Sequence, residues 1–364
     1  MWVTRPVMMG LVLISLVSGV LGGLLRAGVS MPAVAQWDWA SQAAGLHAAL
    51  MIGGFLGTVI GIERAVAVRQ AWAFAAPIAS ALGALCLLLK QYTWGVDLLV
   101  LAAAVFVVVN IVIVKKQSAP HTWLLLLSAL VWLWGNARFM IMILSDEVLA
   151  SWFSFLVLTI AAERLEMSRL TRGHPKAQPW LMAVVAALLA GVWLSGRDPM
   201  MGGVVLGLAL TSLAVWLGLF DIARHTVRTQ GLSQYMAVCL LSGYVWLGVA
   251  GLCWAAHAMG APVRDAALHA LGLGFVISMV MGHAPVILPA VARVKLYFDR
   301  RFYGPLLLLQ LSLLWRLVAG YLSPEARAWG AALNAITLVV FALTVVSAAV
   351  SWQRHHPPTR RRPR

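Results

Sequence analysis

Long apolar runs separated by short polar connections make up almost the whole chain. Twelve of these runs have the length of a bilayer-spanning helix, about 20 residues, and turn signals between them set their limits. The predicted spans are residues 7–25, 43–62, 72–90, 94–114, 121–144, 150–166, 178–195, 200–221, 234–258, 266–290, 303–322 and 328–352. The connections are too short for a soluble domain, so the pattern predicts one all-α polytopic membrane domain over residues 1–353.

The composition agrees with this prediction. Of the 364 residues, 62% are hydrophobic and only 11% are charged, whereas about 25% of the residues of a soluble domain are charged. A soluble enzyme, a coiled coil, a disordered chain and a disulfide-rich scaffold are therefore excluded.

Basic residues are distributed unevenly between the two sides of the predicted bundle. With the N-terminus in the cytoplasm, 20 of the 27 Lys and Arg residues lie in or next to cytoplasmic segments. This positive-inside pattern predicts a bacterial inner-membrane protein with both termini in the cytoplasm, and it explains the net charge of +15 without a nucleic-acid partner. Residues 354–364 (RHHPPTRRRPR) are predicted to form a disordered basic tail beside anionic lipid headgroups.

A weak internal repeat relates three of the spans. Residues 55–64 of span two read FLGTVIGIER, and residues 155–164 of span six read FLVLTIAAER. Residues 275–283 of span ten (FVISMVMGH) have the same step from an aromatic residue to an ionisable one. Because these spans are four apart, the pattern predicts three pseudo-repeated groups of four helices.

Two histidines are predicted to lie at the same depth near the outer surface. His47 lies about four residues inside the outer end of span two, and His269 about three residues inside that of span ten. Facing neutral imidazoles are one way to hold six-coordinate haem iron in a helical bundle. The alternative is that each histidine is a satisfied polar residue near the interface. Their matched depth favours a shared role as haem ligands.

A haem also requires partners for its propionates, and three outer-half residues are candidates. Arg316 lies in span eleven, and Asn136 and Arg138 lie in span five. A guanidinium group binds carboxylates in a fork geometry, and an arginine in hydrocarbon requires an acidic partner. For Arg138 a structural salt bridge is the preferred interpretation, and for Arg316 a propionate contact. The outer-half acids that could pair with either arginine are Asp38, Asp146, Glu147, Asp265 and Glu325.

The inner half contains a second set of candidates. Glu63, Glu163 and His283 are predicted to lie at comparable depth on spans two, six and ten. Two carboxylates and an imidazole can bind a second metal such as copper or iron, or can relay protons. Alternatively, each glutamate pairs with a neighbouring arginine, Arg64 or Arg164. The sequence leaves these interpretations open.

The pattern of spans and histidines resembles known membrane families. Twelve spans in three groups of four, with a histidine at the top of span two and another in span ten, resemble subunit I of the haem–copper oxidases. Residues 267–281 and the stretch 315–318 (WRLV) resemble spans ten and eleven of the NnrS family. That family consists of bacterial membrane proteins described as binding haem and copper in the response to nitric oxide. The resemblance implies that His47 and His269 bind haem b and that Arg316 binds a propionate.

Two departures from the oxidases limit what this resemblance implies. The oxidases have a second histidine two residues from the one in span ten, but Ala267 and Leu271 stand at those positions here. Spans six and seven also lack the histidines of the oxidase copper centre. Proton-pumping oxygen reduction is therefore not expected.

The leading hypothesis is a haem-binding membrane redox protein that handles nitric oxide or another small diatomic, or that moves electrons to an unidentified redox partner. Under this hypothesis the protein is an oxidoreductase if it acts chemically on nitric oxide or a related small molecule. The alternative is a proton- or ion-coupled transporter that uses Glu63, Glu163 and His283. A third hypothesis is a structural subunit of a respiratory assembly.

Overall fold

A computed structural model describes residues 4–142, 144–168, 176–292 and 294–355. Of the residues in these four ranges, 88% are helical, and none lies in a β-strand. Twelve of the described helices are long and apolar enough to cross a membrane. These findings confirm the predicted all-α polytopic fold. From residue 356 onward, the predicted basic tail lies outside the described residues.

Each predicted span corresponds to one helix. The largest differences are in the second, which extends beyond the predicted limits 43–62 at both ends. The helices are α1 (Thr4–Arg26), α2 (Asp38–Gly45, Ala49–Gly57 and Thr58–Val68), α3 (Ala71–Phe74 and Ala75–Leu88), α4 (Tyr92–Lys116), α5 (Pro120–Met142), α6 (Asp146–Ser168), α7 (Ala177–Ser195), α8 (Pro199–Phe220), α9 (Leu232–Ala258), α10 (Arg264–His269, Ala270–Ile277 and Ser278–Ala292), α11 (Arg300–Phe302 and Tyr303–Leu322) and α12 (Pro324–His355).

Helix α6 lies at the centre of the bundle and α12 at its periphery. The buried fraction of the apolar stretch is 83% in α6 and 17% in α12. Aromatic rings fill the space around α6: Trp132 of α5 stacks on Phe155 at 4.8 Å between ring centres. Phe106 of α4 meets both rings edge-on. Offset and edge-on contacts of this kind add specific geometry to the burial of large side chains.

Small residues set the closest helix contacts. A Cβ atom at Gly207 of α8 would lie 2.4 Å from the carbonyl oxygen of Gly251 on α9. No side chain fits at that distance, so glycine is required there for the two backbones to approach. This is the usual way in which membrane helices pack without a hydrophobic driving force.

Helices α2 and α10 share an irregularity that the sequence did not predict. Each contains a π-helical segment, Ala49–Gly57 in α2 and Ala270–Ile277 in α10. Both segments begin within two residues of a histidine, His47 and His269. Wide turns of this type are rare and are found frequently at functional sites. The two helices are therefore marked out as the walls of a candidate site.

Candidate functional site

The two histidines predicted to share one depth face each other. The ring centres of His47 and His269 are 6.3 Å apart, and their planes differ by 25°. They lie at the end of the bundle that contains residues 27–37 and 259–263, which we call the His end. The end that contains residues 69–71 and 221–231 is the Glu end.

Both imidazoles are held in the same way. Nδ1 of His47 donates to the carbonyl oxygen of Gly19 on α1 at 2.7 Å, and Nδ1 of His269 donates to the carbonyl oxygen of Asp265 at 3.0 Å. Histidines that bind metals almost always donate their other ring N–H to a carbonyl or a carboxylate, which fixes the tautomer and the ring orientation. In both rings Nε2 is therefore the atom that carries the lone pair.

A cavity of about 360 Å³ adjoins the histidine pair, which is within the range of small-ligand sites. Its walls come from α1, α2, α6, α10, α11 and α12. Most of its lining is apolar, including Phe153 and Leu156 on one side and Ala331 and Ala335 on the other. The space beside the histidines is thus open towards both α6 and α12.

Gly23 of α1 makes room for the His47 ring. A Cβ atom at Gly23 would lie 2.7 Å from Cε1 of His47 and 2.9 Å from its Nδ1. Any other residue at this position would push the ring away from Gly19. The sequence indicated only that the segments around the histidines are rich in small residues, and not that α1 supplies the close contact.

Arg316 adjoins the histidine pair, but its guanidinium group already has a carboxylate partner. Nε and Nη2 of Arg316 donate to the two carboxylate oxygens of Asp265 at 3.0 and 2.8 Å. Asp265 Oδ1 also lies 3.1 Å from Nδ1 of His269, and Nη2 of Arg316 lies 3.2 Å from Nε2 of His269. Arg316, Asp265 and His269 thus form a chain of polar contacts beside the cavity. The salt bridge left open as an alternative is the one observed.

Two further arginines at the cavity were missed by sequence reasoning. Arg26 and Arg327 both line it, and neither forms a salt bridge with a carboxylate of the described residues. Arg264 also lines the cavity but is bound to Asp146. The available signal was the position of Arg26 and Arg327 at the outer ends of the first and last spans. The cavity therefore has two guanidinium groups available to an anion.

Asn136 and Arg138 do not line the cavity. The side-chain amide of Asn136 donates to the carbonyl oxygen of Leu99 and accepts from the indole N–H of Trp152. Arg138 forms a two-pronged salt bridge with Glu147, at 2.8 and 3.0 Å. Both residues join α5 to neighbouring helices, and the preferred salt-bridge interpretation of Arg138 agrees with the observed contact.

The inner-half candidates also lie close together, but each has a partner other than a metal. Glu163 accepts from Arg64 at 2.5 Å, and Glu63 lies 3.6 Å from the same guanidinium group. Nε2 of His283 accepts from Arg164 at 2.9 Å. Among the described residues, no group of three or more His, Cys, Asp or Glu side chains is arranged to hold a metal ion.

The fold and this site define a class: a multi-pass α-helical membrane protein with a histidine-lined cavity at one end of the bundle. The family model of a domain of unknown function, DUF8744, matches residues 5–350. The chain therefore belongs to that family. No curated protein and no solved structure matches it.

Proposed function

We propose that this protein is a haem-binding integral membrane redox protein, with haem b held between His47 and His269. The observation that carries the proposal is the 6.3 Å separation of two facing imidazoles whose Nδ1 atoms are already anchored.

This separation fits two ligands of one iron. A histidine nitrogen binds a metal at about 2 Å and lies about 1 Å from its ring centre, so two rings on opposite sides of one metal have centres about 6 Å apart. Binding of the iron would require Nε2 of His269 to give up its contact with Arg316. The cavity beside the pair offers a mostly apolar space for a flat macrocycle.

The cationic groups around the cavity fit the carboxylates of a haem. Arg26 and Arg327 would hold the propionates, because their guanidinium groups are not engaged by the carboxylates of the described residues. Arg316 would act on His269 instead, since it fixes the Asp265 carboxylate beside Nδ1. A carboxylate in that position raises the basicity of a metal-bound imidazole.

Electron transfer is the activity that this arrangement supports best. When bound, the haem supplies a one-electron couple. His47 and His269 would hold the haem between them, the apolar lining would exclude water, and Arg26 and Arg327 would place positive charge at the edge of the site. With both histidines bound to it, the group would serve to carry electrons.

Handling of nitric oxide or another diatomic is the second candidate, and one contact favours it. Nη2 of Arg316 lies 3.2 Å from Nε2 of His269, so His269 has a hydrogen-bond partner available when it is not bound to a metal. Arg316 would then hold the His269 ring aside, and a diatomic could bind in the cavity beside His47.

The proposal includes an architecture and an orientation. Three four-helix groups of the haem–copper oxidase type are supported by the matching histidine and π-helical segment in α2 and α10. The distribution of Lys and Arg supports a bacterial inner membrane with cytoplasmic termini and the His end outward. The resemblance of spans ten and eleven to the NnrS family is consistent with haem at this site. Because Glu63, Glu163 and His283 pair with arginines, we do not include a second metal.

A redox titration with and without carbon monoxide tests the proposal. The detergent-purified protein is loaded with one equivalent of haem, and the absorbance is recorded against potential. A reversible low-spin one-electron couple that carbon monoxide leaves unchanged supports electron transfer. A ferrous spectrum that carbon monoxide converts supports the diatomic candidate, and a high-spin or free-haem spectrum refutes the two-histidine site.

A further inference from the structure

A second polar cluster lies at the Glu end, well away from the cavity. The side chains belong to α2, α6, α9 and α10 and to the residue that follows α8. We call this set the Glu-end cluster; it comprises Glu63, Arg64, Glu163, Arg164, Asp221, Tyr244 and His283.

His283 is neutral in this arrangement. An arginine side chain only donates hydrogen bonds, so Nε2 of His283 accepts from Nη2 of Arg164 at 2.9 Å. Nδ1 of His283 carries the ring proton, because it faces the carbonyl oxygen of Met279 at 2.7 Å.

The remaining charges of the Glu-end cluster do not balance. Its three carboxylic acids are Glu63, Glu163 and Asp221, and its two permanent cations are Arg64 and Arg164. With every acid ionised, the cluster would carry one excess negative charge. Burial of an unbalanced charge is strongly unfavourable, and such a group usually takes up a proton instead.

Asp221 is the acid least satisfied as an anion. The residue is 1% exposed, and Oδ1 accepts from the backbone N–H of Ala223 at 2.7 Å. Oδ2 has no hydrogen-bond partner. The arginine that acts on this carboxyl, Arg164, directs Nη2 to His283 and leaves its Nε without a partner.

The hydroxyl group of Tyr244 is a second buried polar group without a hydrogen-bond partner. Its side chain is 4% exposed, and its hydroxyl group interacts with Asp221 but forms no hydrogen bond of ordinary geometry. The Tyr244 hydroxyl group can donate to an ionised Asp221 or accept from a protonated one, so it is available to Oδ2 in both states. Burial also raises the pKa of the Asp221 carboxyl.

We propose that Asp221 and Tyr244 form a proton-binding site at the Glu end, which holds one exchangeable proton in the state described here. Loss of the proton would leave an anion beside Arg164, and the guanidinium group would move from His283 to Asp221. Because His283 lies on α10, this movement would remove a contact of the helix that also carries His269. The groups that face Asp221 in this exchange are Arg164, Tyr244 and His283.

Infrared spectroscopy of the full-length protein tests the proposal directly. Difference spectra between two pH values report the C=O stretch of a protonated carboxylic acid. Protein labelled with ¹³C at the aspartate side-chain carboxyl should show this band shifted, without any substitution. Asp221→Asn should remove it, Tyr244→Phe should shift it, and the matched control Glu166→Gln on α6 should leave it unchanged.

Three results would overturn the proposal. The first is the absence of any protonated-carboxyl band in the wild-type protein. The second is a band that aspartate labelling does not shift, which would place the proton on a glutamate. The third is a band that disappears at constant pH when choline is replaced by sodium or potassium, because a metal cation would then be the bound species. None of these measurements requires haem, so the proposal stands or fails separately from the His47–His269 site.

Discussion

Replacing Gly23 by alanine should disturb the histidine pair without touching either histidine. The new Cβ atom would lie 2.7 Å from Cε1 of His47, whereas unstrained carbon atoms approach to about 3.5 Å. The ring, or helix α1 itself, must therefore move by about 0.8 Å. Movement of the ring also stretches the 2.7 Å hydrogen bond to Gly19, which lies on the same helix as Gly23.

This displacement sets the expected size of the effect. Overpacking of this kind costs about 1–3 kcal/mol, which corresponds to a haem affinity weaker by about 5- to 150-fold. Haem is titrated into the detergent-purified variant and followed by its absorbance. The matched control is Gly10→Ala on the same helix, because a Cβ atom at Gly10 meets nothing within 4 Å.

The comparison between the two alanine variants tests whether haem binding depends on the position of the His47 ring. We expect Gly10→Ala to bind haem as the wild type does, and Gly23→Ala to bind more weakly and to lose part of its low-spin spectrum. Equal affinity and identical spectra for both variants would show that His47 in its present position is not a haem ligand.

Three further changes separate structural from ligand-binding roles. Removing one partner of the Arg138–Glu147 bridge should lower the unfolding free energy by about 3 kcal/mol, because Glu147 is 6% exposed. Thermal unfolding measures this loss. A haem spectrum that changes while the stability stays constant would contradict the structural role. The double change Arg26→Gln and Arg327→Gln should weaken binding of haem but not of its dimethyl ester, because only haem has carboxylates; equal weakening for both would exclude a propionate contact. Asp265→Asn should raise the midpoint potential of the bound haem, because the imidazole of His269 becomes less basic. The same change should weaken haem binding by about 10- to 100-fold. An unchanged potential would show that Asp265 does not act on the haem ligand.

The sequence predicted the number and placement of the helices and the approach of the two histidines. Those predictions depend on hydropathy and on the constant rise of a helix, which determine depth whatever the packing. His47 and His269 could be matched in depth for that reason. Their facing orientation required coordinates, because hydropathy and rise do not determine how each helix is rotated about its axis.

The sequence could not choose between the possible partners of the arginines, for a physical reason. Arg316 has no acid in its own helix, and the carboxylate that it binds, Asp265, lies on α10, 51 positions away in the chain. Hydropathy contains no information on which helices are neighbours. The same limit explains why Asp221, at the end of a predicted span, was not connected with His283.

The haem content of three purified histidine variants tests the central claim most directly. Pyridine haemochrome and absorbance spectra are recorded for the wild type, His47→Ala, His269→Ala and the control His257→Ala, whose ring lies 3.6 Å from Asp146 at the end of α9. We expect one low-spin haem per chain in the wild type and in His257→Ala, and loss of the low-spin spectrum in each of the other two. A wild-type protein that takes up no haem after supplementation, or a low-spin spectrum that survives both the His47 and the His269 substitutions, would contradict the account.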